Sequence, residues 1–256
     1  MPRKKCLIRT VTEFRSQYRG LREGDAVLGP LALKTGEEIK LLDLADRGVA
    51  LFPPALAQLL CRSKAAQAEV LGEFMLPGVF VAYGLTDLAA RLPEYHSRHP
   101  GPVVAKRDRA HLGLGVSLWP SLETLYSLAG LQDLGYPLVV QPFLAEARDL
   151  RVVVLGDYLE AYERLNPHSF RKNLFQGGSA RPAALTPEQA AWCRRALARG
   201  RFPYAIVDLL VSPQGQTYLS EINLKGGLTG ARLSQAEFRR RVGALEEEFV
   251  SQWETS

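Results

Sequence analysis

From Ser63 onward the chain alternates short stretches of two hydrophobic periods. SKAAQAEVLGEF, ending at Phe74, predicts a helix, and PGVFVAYG after it predicts a short strand. PVVAKRDRAHLGLGVSLW holds two β-rich runs, Val103 to Lys106 and Gly115 to Trp119, joined by a basic loop. Pro120 and Ser121 then open a helix reaching about Leu131. PLVVQPFL predicts a strand, and LRVVVLGDYLEAYERL folds at Gly156-Asp157 into a hairpin. In LTPEQAAWCRRALA, Thr186 is the N-cap, Pro187 the first helical residue and Gln189 the partner in a capping box. Phe238, Val242, Leu245 and Phe249 recur at helical spacing and predict a stripe packed on the core. Residues 1 to about 55 are the least legible part, with short apolar pieces, Ala26 to Leu33 and Ile39 to Leu44, broken by Gly-Pro and charged turns.

YAIVDLLVS and TYLSEINL flank Pro213-Gln214-Gly215-Gln216, the composition of a tight turn, and so predict an antiparallel hairpin. A turn centred between Gln214 and Gly215 places Asp208 directly across from Glu221. Asn223, two residues on, projects from the same face as Glu221. Facing carboxylates repel unless a cation neutralises them. Hard oxygen donors without His or Cys suit magnesium, which takes one or two carboxylates and completes its shell with phosphates and water. The alternatives are that one carboxylate pairs with an arginine, or that the strand is a solvated edge. Lys106 ends PVVAK just before a loop containing Gly113 and Gly115, where a point charge can meet an oxygen anion while backbone N–H groups approach it.

A length of 256 residues allows one sizeable core or two or three small lobes, with a hydrophobic share of 46% that suits a soluble globular protein. The net charge of +5 is spread from Arg3 to Arg241 without a dense tract, which a small phosphorylated ligand explains as well as nucleic acid does, although nucleic acid is not the expected partner. Cys6, Cys61 and Cys193 are odd in number and far apart, which argues against a disulfide framework or a zinc site. Arg9, Glu13 and Arg15 interrupt any signal-peptide core, and no run of about 18 apolar residues follows, so a cytoplasmic protein without a membrane partner is expected. His96, His99, His111 and His168 have neither triad nor metal-ligand spacing.

Lys64, PVVAK with HLGLGV, VVQPFL, DLR at 149–151, FRKN at 170–173, VDLL at 207–210 and EIN at 221–223 occur in order between about Gly48 and Leu233. Together they resemble the ATP-grasp superfamily, specifically the RimK-type carboxylate-amine ligases. The resemblance implies an α+β fold of two lobes clamping ATP, preceded by a short α/β region. Residues 1–55 would be that reduced region, 56–136 the first lobe and 137–256 the second lobe with a C-terminal helix.

The resemblance also implies ATP and magnesium as cofactors, with manganese as a substitute. Lys64 and Lys106 would contact phosphates, with Gly113, Leu114 and Gly115 in a loop closing over them. Gln141, Pro142 and Phe143 would form the strand edge that meets adenine, and Asp149 would lie near the ribose. Arg171, with Lys172 and Asn173, would meet the terminal phosphate or the intermediate, with Arg151 a further active-site cation. Asp208, Glu221 and Asn223 would hold magnesium. Asp149 with Arg151 as a surface ion pair, and Arg171 with Lys172 as a solvated loop, remain the plain alternatives.

Two features depart from the family pattern. Pro142 stands where an acidic residue is usual, which bears on nucleotide preference. LKGG follows Asn223 where small polar residues and Pro-Gly are common, so Lys225 adds a cation that either steadies an acidic substrate or the acyl phosphate, or is a surface lysine. The implied reaction joins a small-molecule or peptide carboxylate to an amine, which an amino acid could supply, through an acyl phosphate, releasing ADP and phosphate. A kinase and a non-catalytic nucleotide-binding protein are the alternatives, and a homodimer is left open.

Overall fold

The computed structural model describes residues 4–110, 114–172 and 177–255. The N-terminal segment folds in the order β1 (Leu7–Ile8), α1 (Val11–Gln17), β2 (Ala26–Leu28), α2 (Ile39–Asp46) and β3 (Ala50–Phe52). The three strands form a parallel sheet with β2 in the centre, and with α1 and α2 they make the short α/β region that the resemblance implies. Strands of two and three residues are too short to display an alternation. Burial holds them instead: Ile8, Val27 and Leu51 pack with Phe14, Leu41 and Leu44. Thr10 and Glu13 form a capping box at the start of α1.

Next come α3 (Ala55–Leu60), α4 (Lys64–Leu71), β4 (Phe80–Ala82), α5 (Leu85–Arg98), β5 (Val103–Arg107), β6 (Val116–Trp119), α6 (Leu122–Ala129) and β7 (Leu138–Pro142). The predicted helix from Ser63 ends early, because the chain tightens into a 3-10 turn over Gly72–Phe74. These strands make an antiparallel sheet in the order β4-β7-β5-β6, which therefore extends to Pro142.

The remaining elements are β8 (Arg148–Leu155), β9 (Tyr158–Leu165), β10 (Ser179–Ala183), α7 (Pro187–Gly200), β11 (Tyr204–Val211), β12 (Thr217–Asn223) and α8 (Gln235–Thr255). Their strands form a second antiparallel sheet, β10-β9-β8-β11-β12, with the predicted β8-β9 hairpin closing at Leu155 and Tyr158. The Thr186–Gln189 capping box starts α7. The largest core lies along this sheet: on one face Val152, Val207 and Leu219 belong with Leu60, Leu71, Cys193 and Leu197 of the covering helices, and on the other Tyr204 meets Phe238 of α8. Val242, Leu245 and Phe249 of α8 pack against that core, as their spacing predicts.

Candidate functional site

Asp208 on β11 pairs with Glu221 on β12, but by a different route from the one the turn suggests. Near the turn, Val211 faces Thr217 and Leu210 faces Tyr218, so the hairpin is centred on Gln214. A register shift beyond Leu209–Leu219 leaves Ser220 as a bulged residue and brings Asp208 opposite Glu221. Bulges re-aim side chains and recur beside functional sites. The bulge meets a lysine: Lys106 Nζ, from β5 in the other sheet, donates to Ser220 Oγ at 3.3 Å and to its carbonyl at 3.5 Å. Burial, the largest cause, pushes the Lys106 ammonium below its ordinary value, with Glu221 opposing it and Lys64 adding to it.

Asp208 is 7% exposed and its carboxylate is taken by arginines, the ion-pair alternative left open by the sequence. Arg151 donates Nε to Oδ1 at 2.7 Å and Nη2 to Oδ2 at 2.9 Å, and Arg164 Nη2 lies 3.0 Å from Oδ2. Arg164 also donates to Asp149 Oδ1 at 2.6 Å, so one guanidinium bridges two carboxylates. Against the cost of burial, the largest single influence, Arg151 and then Arg164 hold the Asp208 carboxyl well below the usual range. At Asp149 burial pushes the carboxyl up, with Arg164 opposing it.

On the same side, Asn223 Nδ2 donates to Glu221 Oε1 at 3.0 Å, and Lys64 Nζ is 3.5 Å from that oxygen. Lys64 also donates to the Ala110 carbonyl at 2.6 Å, tying the start of α4 to the loop after β5. Among the described residues no group of three or more His, Cys, Asp and Glu is placed to hold a metal. The donor chemistry nonetheless fits a hard divalent cation. A carboxylate offers about four lone-pair positions. The contacts from Arg151 and Arg164 fill one on Oδ1 and two on Oδ2, leaving Oδ1 able to accept again. Glu221 and the Asn223 amide complete an all-oxygen set.

These groups line a cavity of about 910 Å³ between the two antiparallel sheets, with Leu31 and Ala32 of the N-terminal segment on its wall. Lys64, Lys106, Gln141, Phe143, Asp149, Arg151, Arg171, Lys172, Asp208, Glu221, Asn223 and Lys225 all reach it. Pro142, Leu114 and Gly115 do not line it. Gly113 and Asn173 lie outside the described residues. Phe143 uses its N–H on the Pro102 carbonyl at 2.8 Å, which removes that group from the backbone edge expected to meet adenine. Arg171 stacks on Phe170 and donates to the Val116 carbonyl on β6, while Lys172 Nζ donates to the Asn166 carbonyl at 3.1 Å.

Arg62, Arg164 and Gln67 are absent from the sequence-derived site, although the first two line the cavity. Arg164 sits two residues after Tyr162 on β9, and only the sheet register reveals that this polar face is roofed over.

A family model for the RimK-like ATP-grasp domain matches residues 57–240. The chain belongs to the RimK-like ATP-grasp family. A "Probable alpha-L-glutamate ligase 2" of Shewanella frigidimarina is 37% identical over 134 residues, 50% of this chain and 45% of the relative. A "Probable alpha-L-glutamate ligase" of Haemophilus ducreyi is 33% identical over 220 residues, 82% of this chain and 70% of the relative. The crystal structure of D-cycloserine synthetase DcsG superposes with a TM-score of 0.60 at 13% identity, covering 96% of this chain and 99% of that one, a likeness of fold alone. The chain spans about half the length of the first two curated relatives it matches, 45% of one and 50% of the other. The ATP-grasp fold accounts for the cavity between the two antiparallel sheets. No helix among the described residues is long and apolar enough to cross a membrane.

Proposed function

We propose that this RimK-like chain is an ATP-dependent ligase that joins a carboxylate to an amine through an acyl phosphate. One observation carries the reading: Lys64, Lys106, Arg171 and Lys172 reach a single cavity together with Asp208 paired to Glu221. In the first step a substrate carboxylate oxygen attacks the γ-phosphorus of ATP. The bond to the β,γ-bridging oxygen breaks, and ADP leaves with the electron pair. In the second step an amine attacks the acyl carbon, the bond to the phosphate oxygen breaks, and the amine's proton passes to the departing phosphate or to solvent.

Lys64 and Lys106 bind the phosphates, and the burial of Lys106 leaves its charge little screened there. Arg171 and Lys172, now resting on backbone carbonyls, turn to the terminal phosphate. Asp208, Glu221 and Asn223 would hold magnesium, or manganese in its place, which when bound supplies further neutralisation of phosphate charge. Gln141 and the remaining backbone of Phe143 serve adenine, and Asp149 the ribose. Among the described residues neither Arg62 nor Lys225 pairs with a carboxylate, although both line the cavity. That surplus favours an acidic amino acid or peptide as substrate, in keeping with the relatives' names. We assign the protein to the cytoplasm and divide it into residues 1–55, a first lobe from 56 that includes β7, and a second lobe to 256.

The test is thermal melting with ADP, with and without magnesium, for the wild type and Glu221→Ala. Ligand at about 100 times its dissociation constant adds roughly 2.7 kcal/mol, a shift of some 5 to 11 °C. A magnesium-dependent shift that Glu221→Ala loses supports the reading, and a shift that survives it sinks the metal assignment. Phosphate release that requires an amine separates the ligase from a kinase, whose product keeps the phosphate.

A further inference from the structure

We infer that Gln67 is a positioning residue for the proposed magnesium ligands, acting through the backbone of β12; the inference rests on the magnesium reading above. β12 is the outer strand of the five-stranded sheet, and an outer strand presents N–H and C=O groups with no ladder partner. Here a side chain supplies one. The Gln67 carboxamide accepts from Ile222 N–H at 3.0 Å and donates to the Ile222 carbonyl at 2.9 Å. Its second N–H goes to the Leu60 carbonyl at 2.9 Å, so the amide's donors and its oxygen are engaged. Gln67 is 1% exposed and lies 155 residues from Ile222 in the chain.

What these bonds hold follows from strand geometry. Ile222 N–H belongs to the peptide plane shared with Glu221, and its carbonyl to the plane shared with Asn223. One amide thus pins both peptide planes that join the two proposed ligands, while the side chains of those ligands project to the opposite face from Ile222. Lys64 stands one turn earlier on α4 and meets Glu221 at 3.5 Å, so the same helix touches this ligand from its side chain and its backbone. Among the described residues, a bridge between Met75 and Leu219 lies on the far side of the Ser220 bulge, and Lys106 reaches the Ser220 carbonyl at the bulge itself. Between the bulge and the end of the strand, Gln67 holds Ile222 from the outer side while the ladder to β11 holds it from the inner side, and together they fix the spacing of Glu221 and Asn223.

Partners of metal ligands typically cost 10- to 100-fold in metal affinity when removed. The experiment is calorimetric titration of ADP into the wild type and Gln67→Met, across a series of free magnesium concentrations and in chelator. In the wild type magnesium should tighten ADP binding. In Gln67→Met that gain should need about 10-fold more magnesium, while affinity in chelator stays within about twofold. If Gln67→Met melts earlier yet keeps the wild-type magnesium dependence, Gln67 merely stabilises the fold and the inference is wrong. Gln67→Glu keeps an acceptor for Ile222 N–H and gives up the donors, so an intermediate loss is expected; it decides the matter if the Met variant does not fold. Absence of any magnesium effect on the wild type would overturn the magnesium reading itself, and the role of Gln67 with it.

Discussion

Arg151 and Asp208 face each other on neighbouring strands and meet in a two-point ion pair, with contacts of 2.7 and 2.9 Å. Arg151→Met would leave the buried Asp208 with Arg164 alone. Breaking a buried pair by removing one partner costs about 3 kcal/mol or more. Calorimetry should find the melting temperature lower by roughly 6 to 12 °C, and turnover should fall with it.

Lys106 presents the opposite balance, because burial already works against its charge. Lys106→Met should leave the melting temperature unchanged or slightly raised. ATP affinity should fall roughly 10- to 100-fold, the loss of one charge-assisted contact, with adenosine affinity unchanged. Titration of both ligands checks this, and an equal loss for the two would remove Lys106 from the phosphates.

Gly115 closes the loop after β5, its carbonyl accepting from Arg107 N–H at 2.7 Å. A methyl group there would stand 2.3 Å from Ala110 Cβ and 3.1 Å from Arg107 Cβ. Gly115→Ala should cost about 1 to 3 kcal/mol in urea unfolding, as overpacking does, and should weaken ATP binding by displacing the base of the loop.

Much of this was readable in advance, and the exceptions have physical causes. The partnership of Asp208 with Glu221 follows from strand alternation and a turn, yet the turn centre is offset and the Ser220 bulge restores the pair. No residue pattern announces that compensation. Arg164 and Gln67 are polar residues whose chemistry suggests solvent, although Gln67 shares the helical stripe of Leu71; a roofed cavity and an outer strand need them inside. The N-terminal strands are too short to carry a period, although the Thr10–Glu13 spacing does mark α1.

Glu246 on α8 gives a pH prediction. Burial raises its carboxyl above the ordinary value, with Arg9 and then Lys225 opposing the shift. The folded state therefore disfavours the ionised form, and stability falls as pH rises from the unfolded value through the folded one. Glu246→Gln should melt higher than the wild type near pH 8 and no higher near pH 4, where the carboxyl is largely protonated in both states. Melting curves at the two pH values decide it.

Trp253 on α8 donates to the Gly24 carbonyl at 2.9 Å, and Lys5 Nζ donates to the Trp253 carbonyl at 3.2 Å. The two ends of the described chain are therefore neighbours, the arrangement that lets a short linker join them and a new start be cut elsewhere. Cutting at the exposed turn between Gln214 and Gly215 would put Asp208 near one new end and Glu221 near the other. In such a permutant the turn no longer sets the register. Facing carboxylates would then be kept in place by the ladder to β8, the Ser220 bulge and the grip of Gln67 on Ile222.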